Sequence, residues 1–455
     1  MIREKSFYKT LLRLALPSAL QSFLSLLTVM ADNIMISRFD PENALAAVSQ
    51  VNTITTFVLS MLMGVGSGGV VLISQYWGKK DTRAIRPVCG MVCMLSAGLA
   101  AIVTVLSLLV PRALLAVTLN PEEGVLTDIA ETYLRLVCFS FLPYALSSAL
   151  VAVLKGVEVV KVTLYASVLS LVTNVGLNYL LIFGKAGLPA MGVQGAALAT
   201  VCARVAELAV VLVYCFRVQK NVPLRLKNMV TTARWAAKDY LHFGLPVALG
   251  DAQWALICLL RGAMIGYVGK TMISAMSITE TMCSLATMFS FAMADGACVV
   301  IGKSVGAGDY ARTRRESNTI QVLFAAIGAL MCGIVFLLRY PFISLYGTTG
   351  EIAGLAAQLI AVAAVTLLGT TYHAACFRGV NRGAGDCRFV MRVDMICGWL
   401  VVLPLTYAAA FVFHWPMPVI FLCTRIDQCF KWVIAFLRLR GNKWICNVTR
   451  EETPA

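Results

Sequence analysis

The sequence predicts an all-α integral membrane protein of twelve transmembrane helices in two pseudo-symmetric six-helix lobes. Three observations point there: an apolar composition, a series of apolar runs long enough to cross a bilayer, and an internal repeat pairing the first six runs with the last six. The chain has 455 residues, 59% of them hydrophobic and only 13% charged. Its mean hydropathy of +0.80 lies far outside the usual range of a soluble globular domain. A helix needs roughly 20 apolar residues to cross about 30 Å of hydrocarbon. The runs are continuously apolar, whereas barrel strands alternate and are only about ten residues long.

The first run, 11–37, follows the stretch MIREK and contains Pro17 and Asp32. It is longer than a signal-peptide core and lacks a small-residue cleavage site before the next span, so it is expected to stay in the mature chain. Runs 44–74 and 87–110 flank a basic loop holding Lys79, Lys80, Arg83 and Arg86. Runs 126–150 and 162–183 flank Lys155 and Lys161, and the second of them carries Asn174 and Asn178. The sixth, 192–216, includes Thr200 in GAALAT. Residues 217–240 are basic and partly amphipathic and read as a cytoplasmic connector along the membrane surface, with a disordered linker as the alternative. The seventh run, 241–268, carries Asp251 and Arg261; the eighth, 271–301, carries Glu280 and Asp295 and is crowded with methionines, among them Met276 and Met282. Runs 318–338, 352–376, 390–412 and 416–437 complete the set, with His373 on the tenth. These divisions give lobes 1–216 and 241–455.

The formal net charge of +15 does not imply nucleic acid. In the twelve-span arrangement about 27 Lys and Arg fall on one side and about five on the other, the positive-inside pattern. Arg3, Lys5 and Lys9, the run from Arg217 to Lys238 and the tail lie inside; Arg38, Arg112, Lys185, Lys270 and Arg339 lie outside. Both termini are therefore expected in the cytoplasm, with the basic charge facing anionic lipid of the plasma membrane. The fifteen cysteines sit mostly inside spans without histidine-supported metal spacing and read as reduced, small apolar residues.

The repeat appears at three places. LALP at 14–17 is answered by FGLP at 243–246, WGKKDTRAIR at 77–86 by VGAGDYARTR at 305–314, and KG at 155–156 by RG at 382–383. The shift stays close to roughly 228 residues, and an even number of spans per half makes the halves parallel. Two bundles around a cleft, with substrate near the midplane, is the architecture of an alternating-access transporter.

Asp32 is the residue to explain. A carboxylate inside a span is costly and marks a functional site by default. Counting down from Arg38 places it roughly 9 Å inside the outer end of its span; counting from Lys185 places Asn178 roughly 10 Å and Asn174 roughly 16 Å below the same surface. Four residues apart, the two asparagines share a helical face. Carboxylate and amide oxygens suit a hard cation such as Na+, and a partly desolvated aspartate also takes up a proton. Thr200 lies at compatible depth as a fourth candidate. The alternative is a polar clamp between helices. Pro17 permits a kink in the same helix.

The stretches LALPSALQSFLSLLTVMADNIMISRF, NVGLNYLLIFGKAGLPAMGVQGAALATVCARVAE, GKSVGAGDYARTRR and NRGAGDCRFVMRVDMICGWLVVLPLTY resemble the multidrug and toxic compound extrusion (MATE) family over essentially the whole chain. The resemblance implies two six-helix lobes in a V. It also implies export of organic, usually cationic and amphipathic compounds in exchange for H+ or Na+, with no other cofactor. It puts Asp32, Asn174 and Asn178 on the family's amino-terminal cation site and implies that the helix of Pro17 bends with the state of that site. The NorM branch also carries acids on the seventh and tenth spans, where this sequence has Ala255 and Thr371. Coupling is then expected in the first lobe alone, as in the DinF-like branch.

In the second lobe, Arg261 and Glu280 read as a buried ion pair, or Glu280 as a cleft residue attracting cationic substrate. Asp251 and Asp295 are lesser candidates of the same kind, and Met276 and Met282 are candidates for an adaptable substrate wall. His373 is a proton carrier or a structural residue. No Walker A loop points to ATP, and His242, His373 and His414 form no catalytic or metal spacing, which disfavours an integral membrane enzyme. A lipid-linked oligosaccharide flippase of the wider superfamily stays as a rival, although flippases usually have more spans. A major-facilitator carrier would repeat differently and show an Asp-Arg-x-Gly-Arg core that GKKDTRAIR lacks. The protein is expected to act as a monomer.

Overall fold

A computed structural model describes residues 2, 4–40, 43–116, 124–219, 222, 226–347, 350–441 and 443–451. Arg3, Lys220 and Arg225 lie outside the described residues, as does the side chain of Lys270.

Eleven helices among the described residues are long and apolar enough to cross a membrane. They are α1 (Lys5–Phe39), α2 (Asn43–Gly78), α3 (Thr82–Leu109), α4 (Gly124–Gly156), α5 (Lys161–Phe183), α6 (Val193–Val218), α7 (Arg234–Gly266), α8 (Thr271–Gly306), α9 (Tyr310–Ser344), α10 (Glu351–Asn381) and α11 (Cys387–Val412). The expected span 416–437 is instead two shorter helices, α12 (Met417–Cys423) and α13 (Asp427–Arg440), broken at a turn around Arg425. Arg425 in that turn is buried and reaches Glu280, and Asp427 and Lys431 just beyond it are buried and paired with each other. Most helices overrun their apolar windows at the basic ends, because hydropathy marks the hydrocarbon while backbone hydrogen bonding continues into the interface. All fifteen cysteines are free.

Two compact units divide the chain. The amino-terminal unit comprises Leu20–Ile73 and Asp81–Ala248; the carboxy-terminal unit comprises Met1–Ala19, Ser74–Lys80 and Leu249–Ala455. Helices α1, α2 and α7 therefore contribute to both, and α1 changes unit two residues after Pro17 while remaining helical throughout.

In the amino-terminal unit a core of Ile36, Val48, Val51, Tyr133, Leu134, Ile182 and Ala197 joins α1, α2, α4, α5 and α6. Tyr240 of α7 donates its hydroxyl to the Val65 carbonyl at 2.7 Å, and the backbones of α2 and α7 approach so closely at Gly68 that a Cβ there would lie 2.5 Å from the Gly244 oxygen. The connector is docked rather than loose over its described part: Leu226–Val230 is helical and Thr232 bonds the Pro87 carbonyl of α3 at 3.0 Å. Helix α7 already begins at Arg234, within the expected connector.

The repeat motif has a local structural meaning. Asp81 caps α3 by accepting from the Ala84 N–H at 3.1 Å, and Asp309 caps α9 by accepting from Arg312 N–H at 2.9 Å. The residue before each cap is left-handed, Gly308 at φ 77° and Lys80 at φ 62°. A side chain in that region costs about 1–2 kcal/mol. Lys80→Gly is therefore expected to raise the melting temperature slightly, whereas Gly308→Ala lowers it, both read by thermal unfolding in detergent. Asp81→Ala is expected to cost about 1 kcal/mol through the lost cap.

Candidate cation site

Asp32 lies about two turns before the end of α1, and one turn further on Ile36 anchors that helix in the amino-terminal core. Asn174 and Asn178 occupy successive turns of α5 and are 1% and 0% exposed. Asn178 donates through Nδ2 to Oδ1 of Asp32 and from the same nitrogen to Oδ1 of Asn174 at 3.3 Å. Asn174 donates to the Thr200 hydroxyl at 3.5 Å, and Thr200 donates to the Ala196 carbonyl at 3.0 Å. The four residues chosen from depth and spacing thus form one chain of polar contacts linking α1, α5 and α6.

One atom of this chain is left over. Oδ1 of Asn178 is buried and has no hydrogen-bond partner among the described residues. Leaving a buried acceptor unsatisfied costs about 1–3 kcal/mol, so an oxygen in this position is poised to accept a cation or a proton donor. Together the chain offers one carboxylate and neutral oxygens only. No group of three or more His, Cys, Asp or Glu that would hold a metal occurs among the described residues. A single negative charge with amide and hydroxyl oxygens fits a monovalent cation.

Several neighbours escaped the sequence reading. Tyr133 of α4, 3% exposed, lies beside Thr200 and in the field of Asp32. Arg204, one turn beyond Thr200, also lies in the field of Asp32. Its guanidinium is held by Glu207 at 2.7 Å and sits 4.9 Å from the centre of the Tyr144 ring, while Ser147 donates to Glu207 at 3.3 Å. The available signal was an arginine and a glutamate three residues apart inside an apolar span.

The charged candidates of the carboxy-terminal unit are paired. Arg261 meets Glu280 at 3.3 Å, with Arg425 on the same carboxylate oxygen at 3.8 Å. Asp251 is bound by Arg382 at 2.8 Å and Asp295 by Arg378 at 2.5 Å. His373 is in hydrogen-bond contact with Gln428. Met282, 6% exposed, packs inside the hydrophobic core of α8, α10 and α12 with Ile278, Leu359 and Phe421, and Met276 packs against that core.

Residues 17–180 and again 246–408 match the MatE family. The chain belongs to the MatE family. Its two matches begin at Pro17 and Pro246, so the internal repeat is a repeat of the MatE unit itself. Similar proteins include "Uncharacterized transporter YisQ" of Bacillus subtilis, 24% identical over 423 residues, which span 91% of this chain and 90% of the relative. "Probable multidrug resistance protein NorM" of Thermotoga maritima is 23% identical over 445 residues, 96% of this chain and 93% of the relative. Among solved structures, a MATE protein in the bent conformation superposes with a TM-score of 0.85 at 18% identity over 95% of both chains. A MOP superfamily transporter from Pyrococcus furiosus gives a TM-score of 0.84 at 18% identity, also over 95% of both. This MatE chain is accordingly an all-helical, membrane-spanning protein with the fold of known MATE structures.

Proposed function

We propose that this MatE chain is a secondary active antiporter that exports organic, cationic and amphipathic compounds in exchange for H+ or Na+ by alternating access. The observation that carries the coupling reading is the oxygen cluster of Asp32, Asn178, Asn174 and Thr200 on three membrane helices, with an Asn178 oxygen that has no partner among the described residues. Drug export is supported by MatE membership and by the multidrug resistance named for NorM relatives. In this reading Asp32 binds the inward-moving cation, and its occupancy is felt along α1, which passes Pro17 on its way between the two units.

Coupling through the amino-terminal half alone, as in the DinF-like branch, is favoured because Ala255 and Thr371 offer no carboxylate. Helices α12 and α13 together are read as the twelfth crossing, which gives two six-span lobes, 1–216 and 241–455, and cytoplasmic termini in the plasma membrane. The protein works as a monomer, without ATP and without enzymatic chemistry. Efflux from proteoliposomes under a sodium gradient alone, then under a pH gradient alone, is expected to respond to at least one of them. Transport indifferent to both gradients would overturn the antiport reading.

A further inference from the structure

Helix α2 passes from the amino-terminal to the carboxy-terminal unit between Ile73 and Ser74, so its basic end, Ser74–Lys80, is seated on the unit to which the rest of the helix does not belong. Part of that seat is α8, whose backbone meets that of α2 at Gly78 and Gly306 with no room for a Cβ at either. Another part is the stretch 443–451, which follows α13 without further helix. Arg438 fixes the root of this tail, gripping Asp386 at 2.8 and 3.0 Å and donating to the Lys443 carbonyl at 3.3 Å. Trp444 and Val448 are buried, and Cys446 donates its N–H to the Ala384 carbonyl at 2.8 Å.

Gln75 ties the tail to α2. Its fully buried carboxamide accepts from the Val448 N–H at 2.8 Å and donates to the Gly383 carbonyl at 3.0 Å and the Cys446 carbonyl at 3.3 Å. Lys79, one turn on, donates to the Glu451 carbonyl at 3.1 Å and to that of Arg450. The tail's counterpart in the repeat is the connector after the sixth span, which docks on α3 of its own unit through Thr232 and the Pro87 carbonyl. The tail departs from that pattern and grips a helix of the first half. An extended, partly exposed segment held by a few hydrogen bonds also opens at lower cost than a packed helix.

We propose that residues 443–451 are a latch: docked, they keep the basic end of α2 on the carboxy-terminal unit, and released, they free it to move with the rest of its helix. The proposal rests on the alternating-access reading, which requires such movement, and involves no residue of the Asp32 cluster. Two native cysteines report on it. Cys387, 1% exposed, follows Gly385, where a Cβ would lie 2.5 Å from the Cys446 oxygen of the tail. Cys89, 0% exposed, is buried in the amino-terminal unit away from the latch.

The test begins with the rate at which N-ethylmaleimide labels each cysteine of the purified full-length protein, resolved by peptide mass spectrometry. Gln75→Leu leaves one N–H and two carbonyls without their partner, and is expected to speed labelling of Cys387 about tenfold while Cys89 stays at the parent rate. Equal acceleration at both cysteines, which general loosening would give, or acceleration at neither would overturn the latch. In proteoliposomes, Lys79→Cys/Glu451→Cys protein cross-linked by a bis-methanethiosulfonate is expected to lose gradient-driven ethidium movement and to regain it on reduction. Either single variant, treated identically, should keep it. Undiminished movement in the cross-linked protein would also overturn the latch. Absence of ethidium movement in the untreated parent would instead contradict the antiport reading, and the labelling comparison then decides the latch alone.

Discussion

Asp32→Asn is expected to reduce gradient-driven efflux to the level of empty liposomes while leaving the yield and melting temperature of the protein close to those of the parent. The exchange keeps shape and hydrogen-bonding capacity but removes the full negative charge and the titratable oxygen. Among the described residues of this amide-lined site that charge is the only one available to hold a cation, since Asn174, Asn178 and Thr200 contribute neutral oxygens. Arg204 cannot substitute, being positive and already engaged by Glu207. Stability should survive because a carboxylate within a membrane helix is itself costly, so neutralising it relieves desolvation. A simple polar clamp gives the opposite pattern, loss of stability with transport intact in whatever protein remains folded. Measuring both quantities on the same preparation distinguishes the two readings.

The second large effect is expected at Gly306, where alanine should sharply lower the melting temperature and the yield of folded protein. A Cβ there would lie 1.9 Å from the Gln75 carbonyl oxygen, and a Cβ on Gly78 would lie 2.0 Å from the Lys303 oxygen. Gly78 and Gly306 are counterparts in the repeat, as are Gln75 and Lys303, so the basic ends of α2 and α8 cross through a pair of matched backbone contacts. Main-chain oxygens within helices cannot step aside as a flexible side chain can. Overpacking typically costs about 1–3 kcal/mol, and occasionally more. Gly98→Ala on α3 is the control, because its added methyl meets nothing within 4 Å. It should be neutral or slightly stabilising, by up to about 1 kcal/mol from helix propensity.

Much of this architecture was legible because hydrocarbon imposes a simple rule on the chain. Each long apolar run had to satisfy its own backbone, and eleven of the runs became helices within several residues of their expected positions. Asp32, Asn174, Asn178 and Thr200 could be brought together by counting turns from the outer ends, since rise per residue fixes depth and a four-residue spacing fixes the face. What depth and face do not give is the partner across a helix pair. The pairing of Asp251 with Arg382 and of Asp295 with Arg378 joins residues 131 and 83 positions apart, and nothing local announces it. Arg425 was invisible for the same reason. Its reach toward Glu280 accompanies the interruption of the expected last span, where polar residues are buried inside the protein. Met282 packs in the core, and Met276 is partly buried against it: a flexible side chain suited to a substrate wall suits a close-packed core equally well.

Cation uptake by the purified protein bears most directly on the role of Asp32. Bound sodium is counted by equilibrium dialysis and bound protons by a pH electrode on substrate displacement, in the parent protein and in Asp32→Asn. Exchangeable cation in the parent and none in the variant is the expected outcome; the same uptake by both proteins would contradict the assignment of Asp32, Asn174 and Asn178 as the coupling site.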